Sequence, residues 1–339
     1  MNENMDSPLL KKMRQAIEED LRASLIPLQD DHSIDMVNMI AYHLGWEEGV
    51  SQSSGKRIRP LLTLLICGAT GGEWEDALPA ASAIELIHNF SLIHDDIEDN
   101  SETRRGRPTV WKRWGISKGI NLGDSIFVLS RLASFRLMTS TIPAQSVLDL
   151  LQALDKACLE LTIGQQLDLH FEELDVVDLD TYLRMIRGKT SALITAATMS
   201  GGIIAGVQNQ DLNILHDYGH HLGLAFQIQD DILGIWGETA ITGKPVNDDL
   251  RARKKTLPIL YGLGKSQEFL ELWRTDRTDD EFVDAMRKAL ECSKALDFSR
   301  ERADEHTQSA LSSLRSLKGK DPYQEELDKL THNLLNREW

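Results

Sequence analysis

Leu92-Ile93-His94-Asp95-Asp96-Ile97-Glu98-Asp99 and Phe226-Gln227-Ile228-Gln229-Asp230-Asp231-Ile232-Leu233 each set a pair of aspartates inside an apolar helical context. At about 100° per residue, Asp95 and Asp99 lie about 40° apart on a helix, so with Asp96 the three carboxylates converge on one side. Such crowding destabilises a helix by roughly a few tenths of a kcal/mol per pair, and by more when desolvated, unless a cation is shared. The second pair follows Leu222-Gly223-Leu224-Ala225-Phe226, a stretch expected in the interior, where an unpaired charge is expensive. Gln227 precedes that pair by three and four residues and shares its face. A solvated helix end is the plain reading of the first run alone, and a cap or ion pair that of the second. Two such pairs in one chain favour a metal site shared across a helical bundle. Hard oxygen donors without a soft partner suit Mg²⁺, which keeps several waters and completes its shell with substrate phosphates.

Working outward, the pattern is helical. Leu9, Met13, Ile17 and Leu21 recur at four-residue steps, and Val147, Leu151, Leu154 and Cys158 at threes and fours. Only nine prolines and five tyrosines accompany abundant Leu, Ala, Glu and Lys, and no alternating run with a hairpin turn stands out. The expected fold class is therefore all-α. We expect one domain over residues 1–339, with an N-terminal helix in 1–30 and an outer layer of amphipathic helices in 265–339. Breaks are expected where Gly, Pro and polar residues cluster, at 51–55, 68–75, 104–108, 239–248 and 275–279.

The 339 residues carry 37 Lys+Arg against 53 Asp+Glu, a net charge of −16, which argues against general affinity for nucleic acid or anionic membrane. Hydrophobic residues at 41% suffice for a substantial core. Three widely spaced cysteines form no disulfide or zinc pattern, so a cytoplasmic location is expected. The first 19 residues lack the apolar stretch of a secretory signal. The uncharged run from 190 to 210 is long enough for a membrane span, but its polar residues and the pair Gly201-Gly202 suit a buried helix followed by a turn. No transmembrane segment is expected.

Four basic sets accompany the acid pairs: Gly55-Lys56-Arg57-Ile58-Arg59-Pro60, Arg104-Arg105-Gly106-Arg107-Pro108, Gly188-Lys189-Thr190, and Lys244 with Lys254-Lys255 beyond it. Each alone reads as a solvated turn. Together with the acid clusters they are what diphosphate binding requires, through metal bridges and direct Arg or Lys contacts.

In this order, between about residues 55 and 261, these elements resemble the trans-isoprenyl diphosphate synthases, the head-to-tail prenyl elongating enzymes. The resemblance rests on Gly-Lys-Arg-x-Arg-Pro at 55–60, His88, Asp-Asp-x-x-Asp at 95–99, Arg104-Arg105-Gly106, Gln165 and Asp168 in Gly-Gln-Gln-Leu-Asp, Lys189-Thr190, and Phe226-Gln227-x-x-Asp230-Asp231. It implies an all-α bundle around a deep central cavity, with the acid motifs facing each other near its mouth, and a homodimer. By the same resemblance Asp95, Asp99 and Asp230 would hold a trinuclear Mg²⁺ cluster on the allylic diphosphate, with Asp96 and Asp231 in support. Arg104, Lys189, Lys244 and Lys254 would bind that diphosphate, while Lys56, Arg59, His88 and Arg105 would bind isopentenyl diphosphate. Dimethylallyl, geranyl and farnesyl diphosphates are the allylic partners it implies. The allylic C–O bond would ionise, the alkene of isopentenyl diphosphate would attack the cation, and a proton would pass to the released diphosphate. Thr190 and Gln227 would turn their dipoles towards the cation, from which water must be excluded.

Two details refine the expectation. The fifth position of the second motif, often Asp in this family, is Gly234, which leaves Asp248, Asp249 or Glu238 as substitutes for the missing carboxylate. In this family the residues four, five and eight places before the first Asp set product length, here Ser91, Phe90 and Ile87. Their sizes resemble synthases of geranylgeranyl diphosphate, with farnesyl diphosphate as the alternative. A class I terpene cyclase would not need a second diphosphate site. An HD-type phosphohydrolase, suggested by His94-Asp95 with His88, His216, His220 and His221, leaves the second acid pair without a role. A non-catalytic partner subunit is disfavoured by the retention of both Asp pairs.

Overall fold

The computed structural model describes residues 7–47, 56–237 and 247–335. Lys244, Gly55, Glu238 and the break at 51–55, with most of that at 239–248, lie outside the described residues. Helices dominate: α1 Pro8–Ala23, α2 Ile34–Leu44, α3 Ile58–Ala69, α4 Leu78–Glu98, α5 Val110–Trp114, α6 Ile116–Phe135, α7 Ala144–Glu173, α8 Leu179–Ile186, α9 Ala192–Ala205 and α10 Asn209–Trp236. Beyond them come Asp248–Arg251, Leu257–Lys265, Gln267–Trp273, Asp280–Cys292, Ala295–Ser316 and Tyr323–Leu335. The all-α expectation holds. Among the described residues the strands are Thr103–Arg104 and Arg107–Pro108, a two-residue antiparallel pair.

The chain forms two compact units, one of Met1–Cys158, Leu193–His216 and Arg315–Lys329, the other of Leu159–Ala192, Asp217–Leu314 and Leu330–Trp339. In the first, α1 is capped by Ser7, whose hydroxyl accepts from the Leu10 N–H. Its buried stripe is Leu10, Met13, Ile17 and Leu21, so Leu10 rather than Leu9 opens the series. The helix expected in 1–30 gives way after Ala23 to a 3₁₀ turn at Ile26–Leu28, where Pro27 lacks the N–H an α-helix needs. The core of this unit is α4, buried along most of its length and packed most extensively on α6. Gly123 of α6 permits that approach, because a Cβ there would lie 2.2 Å from His94 Nε2. The uncharged run is α9, buried along Ala196–Ile204 apart from Met199, and it ends at Gly206 with φ 72°. Thr63 Oγ1 of α3 donates to the Ala197 carbonyl at 3.0 Å. Among the described residues no helix is long and apolar enough to cross a membrane.

In the second unit Phe171, Tyr182, Ile186, Leu224, Ile228 and Leu257 share one core. Asp178 caps α8 by accepting from the Thr181 N–H at 2.8 Å. Directly after α8 the backbone forms a π-helical turn, Arg187–Ser191, before α9 begins.

Candidate active site

In the first unit α4 carries the first acid motif to its C-terminus, with Asp99 as the capping residue. Asp95 is half-buried and Asp99 exposed, whereas Asp96 is 2% exposed. Asp96 accepts from Arg104 Nε at 2.9 and 3.0 Å and pairs with Nη2 at 2.8 Å. Burial pushes its carboxyl up, and Arg104 opposes the shift. The motif therefore divides, with one carboxylate committed to Arg104 and two standing further out. Arg104 itself is placed by the strand pair, whose turn is Arg105-Gly106, both left-handed at φ 53° and 72°. That is the type I′ geometry preferred in two-residue hairpins, and glycine takes its second position without a Cβ penalty.

Around this hairpin the expected basic residues gather. His88 lies far below the ordinary imidazole range, first because it is buried and then because Arg59, Arg105, Arg104 and His43 surround it. His43 is held down to about 3 by burial, then by Arg104, Arg105 and Arg57. With Tyr42, Asp96, Arg104, Arg105 and Thr109 it lines a small cavity. Sequence reading did not single out His43, because a lone histidine on an apolar helix carries no spacing signal. Neither did it separate Arg57 from its basic neighbours. Arg57 is 4% exposed and donates to Glu18 (2.7 Å), Glu85 (2.8 Å) and the Leu44 carbonyl (3.2 Å). It anchors the segment between Lys56, which is exposed, and Arg59.

Near the first acid motif Ile87 is fully buried and Phe90 8% exposed, its ring edge-on to Phe127 at 5.2 Å and to His94 at 5.8 Å. Ser91 turns its hydroxyl back to the His88 carbonyl at 2.8 Å. His94 packs on α6, its Nε2 3.2 Å from the Ile120 carbonyl, as a packing residue does.

In the second unit, Lys189 and Thr190 ride on the π-helical turn. A Cβ on Gly164 would come within 2.1 Å of the Lys189 nitrogen, and one on Gly188 within 2.4 Å of the Glu160 carbonyl, so both glycines admit the widened turn against α7. Lys189 Nζ donates to Asp168 at 2.5 Å. Thr190 Oγ1 donates to Gln227 Oε1 at 2.6 Å, and Gln227 Nε2 to Asp231 Oδ1 at 2.9 Å. Gln227 thus meets the second member of the acid pair. Asp231 is buried and also accepts from Tyr182 Oη (2.6 Å) and the Leu257 N–H (3.0 Å). Burial raises its carboxyl to about 7 against these three donors. Asp230, next to it, is exposed. Lys254 is exposed, and its N–H donates to the Asp249 carbonyl at 3.0 Å. Asp249 is buried against Gly234, since a Cβ on Gly234 would lie 1.9 Å from Asp249 Oδ2.

Among the described residues no three Asp, Glu, His or Cys side chains close around one point. The donor set nevertheless fits Mg²⁺. Asp95, Asp99 and Asp230 offer hard oxygens at half-buried or exposed positions, while Asp96 and Asp231 are engaged by protein donors. An ion that takes most of its shell from water and phosphate needs only one or two such carboxylates.

Over residues 47–292 the chain matches the polyprenyl synthetase family. It is similar to the (2E,6E)-farnesyl diphosphate synthase of Mycobacterium tuberculosis, 38% identical over 313 residues that span 88% of this chain and 86% of the relative. The geranylgeranyl diphosphate synthase of the same organism is 41% identical over 237 residues, 69% of this chain and 67% of the relative. The crystal structure of geranylgeranyl pyrophosphate synthetase from Pyrococcus horikoshii superposes with a TM-score of 0.87 at 32% identity, covering 97% of each chain. The acid motifs, the basic sets beside them and the helical fold thus converge, and the chain belongs to the polyprenyl synthetase family, the trans-prenyltransferases.

Proposed function

We propose that this enzyme condenses isopentenyl diphosphate with an allylic diphosphate and releases geranylgeranyl diphosphate, with farnesyl diphosphate as the alternative product. The observation that carries the reading is that each unit holds both an acid motif and fixed basic side chains. In one, Asp96 is engaged by Arg104 with Asp99 and Arg105 close by, and Arg59 and His88 stand beside these arginines. In the other, Asp231 is linked through Gln227 to Thr190, the residue after Lys189, whose ammonium pairs with Asp168. A cyclase or a hydrolase leaves one of these cationic sets without a ligand.

In this reading Lys56, Arg59, His88 and Arg105 hold isopentenyl diphosphate, and Arg104, Lys189, Lys244 and Lys254 hold the allylic diphosphate. Asp95, Asp99 and Asp230 are the residues that hold Mg²⁺, three ions when substrate is bound, with Asp96 turned to Arg104. Mg²⁺, when bound, supplies charge neutralisation for the departing diphosphate. Asp168 fixes the Lys189 ammonium for its phosphate contact, so less side-chain freedom is lost on binding. Thr190 and Gln227 present oriented dipoles where positive charge develops, and the apolar wall of Ile87 and Phe90 keeps water from the cation. Asp249, seated against Gly234, supplies the carboxylate that the second motif lacks.

Phe90 and Phe127 together form the floor that limits chain growth, with Ser91 above it. Names of both product lengths occur among the relatives, so membership of the family does not by itself set the product. We further propose a cytoplasmic homodimer. Three free cysteines fit a reducing compartment. Ile116, Ile120, Val128, Leu132 and Phe135 form an exposed apolar stripe at helical spacing along α6, which a second copy would cover.

The test is incubation of the purified protein with Mg²⁺, isopentenyl diphosphate and each allylic diphosphate in turn, with products resolved by mass spectrometry. Elongated diphosphates support the reading. Hydrocarbon products, simple hydrolysis or no turnover refute it in favour of a cyclase, a hydrolase or a silent subunit respectively.

A further inference from the structure

Four hydrogen bonds converge behind the catalytic face of the second unit, and their polarity can be assigned. The Asp231 carboxylate takes one N–H from Gln227 on Oδ1 and, on Oδ2, the Tyr182 hydroxyl and the Leu257 N–H. With Oδ2 already taking the Tyr182 hydroxyl and the Leu257 N–H, the Gln227 amide turns its NH₂ to Oδ1 at 2.9 Å. Its oxygen then faces Thr190, and the Thr190 hydroxyl must donate to it. With its proton committed, Thr190 presents oxygen lone pairs, the end of the dipole that stabilises an allylic cation. Tyr182 is fully buried and its O–H is the shortest of the donors to Asp231, so it holds the carboxylate in that orientation. The Leu257 bond ties the same carboxylate to the start of the helix that follows Lys254.

We propose that Asp231 and Tyr182 are positioning residues for prenyl transfer rather than supports of the metal, acting through Gln227 to set the direction of the Thr190 hydroxyl. This rests on the synthase reading above. A carboxylate with three protein donors loses them if it turns to a metal, whereas the adjacent Asp230 is exposed. An amide at position 231 can donate as well as accept, so Asp231→Asn lets Gln227 flip and removes the constraint on Thr190.

The test is a mutant cycle of Asp231→Asn, Tyr182→Phe and Thr190→Val in the full-length enzyme at saturating Mg²⁺. Asp231→Asn is expected to lower kcat about thirtyfold and Tyr182→Phe about fivefold, the range of one or two lost oriented hydrogen bonds, with KM for isopentenyl diphosphate unchanged. In the Thr190→Val background each is expected to change kcat by less than about twofold, because the residue through which they act is already lost. Half-saturating Mg²⁺, and the rise in melting temperature on adding Mg²⁺ with inorganic diphosphate, should be unchanged in Asp231→Asn and impaired in Asp230→Asn. Effects that multiply with Thr190→Val, or a Mg²⁺ requirement raised in Asp231→Asn as in Asp230→Asn, overturn the inference. If Asp231→Asn does not fold, Tyr182→Phe carries the same cycle. A wild-type enzyme without prenyl transfer overturns the synthase reading and this inference with it; an active one with multiplicative variants overturns this inference alone.

Discussion

Gly234 shows how a single missing atom shapes the second acid motif. Positions 230 and 234 lie one turn apart on α10, so a side chain at 234 would share the face of Asp230. Asp249 Oδ2 already occupies that direction, 1.9 Å from where a Cβ would stand. Gly234→Ala should therefore cost about 1–3 kcal/mol of stability through overpacking, read as a lower urea midpoint, and should raise the Mg²⁺ concentration for half-maximal activity as Asp249 is displaced. The absence of the fifth-position Asp was legible in the sequence; the packing of Asp249 against Gly234 was not, because 14 intervening residues hide which acidic group returns to the helix. Phe90 is the converse case. Its position before Asp95 marked it, but only the fold supplied its partner Phe127. Phe90→Ala opens the floor and should lengthen products by one or more prenyl units in a mass-spectrometric assay; an unchanged product length would remove Phe90 from that role.

Elements were legible wherever hydrophobic periodicity was long. The stripe in α1 and the buried run in α9 were both visible, apart from the one-residue shift from Leu9 to Leu10. The Arg105-Gly106 hairpin was read only as a break, since two-residue strands are too short for an alternating pattern. The π-helical turn at Arg187–Ser191 was not visible at all, because its residues continue an ordinary helical sequence from α8 into α9. What makes it possible is the close approach of α7, and π turns recur at functional positions. Gly164→Ala would drive a methyl group into the Lys189 backbone, which lies 2.1 Å from the Cβ position. The expected outcome is a loss of about 1–3 kcal/mol in stability together with a larger fall in kcat than stability alone accounts for, measured at a temperature where the variant remains folded.

At the scale of the whole molecule, a partly buried imidazole should contribute to an acid limit. His306, its ring against His221 with Nδ1 atoms 3.0 Å apart, is lowered to about 4 by burial and then by His221 and Arg302. The unfolded chain titrates this group near 6.5, so between about 6.5 and 4 the unfolded state binds more protons. Stability from this group is fully present above about pH 6.5 and is lost as pH falls towards 4. His306→Gln should flatten the decline in urea midpoint between pH 7.5 and 5 relative to wild type; parallel declines would assign the acid limit elsewhere. The α6 stripe makes a second prediction at this scale. Val128, 55% exposed, and Leu132, 42% exposed, should belong to the surface between two copies, and Val128→Asp with Leu132→Asp should convert a dimer to a monomer by light scattering. By itself the sequence determined the helical class, the two acid motifs and the basic sets, because periodicity and charge spacing are local properties of the chain. Only the tertiary structure decided which member of each Asp pair turns inward, to Arg104 in one unit and to Tyr182, Gln227 and Leu257 in the other. Adjacent aspartates are chemically equivalent in sequence, and burial beside a particular donor is what makes them differ.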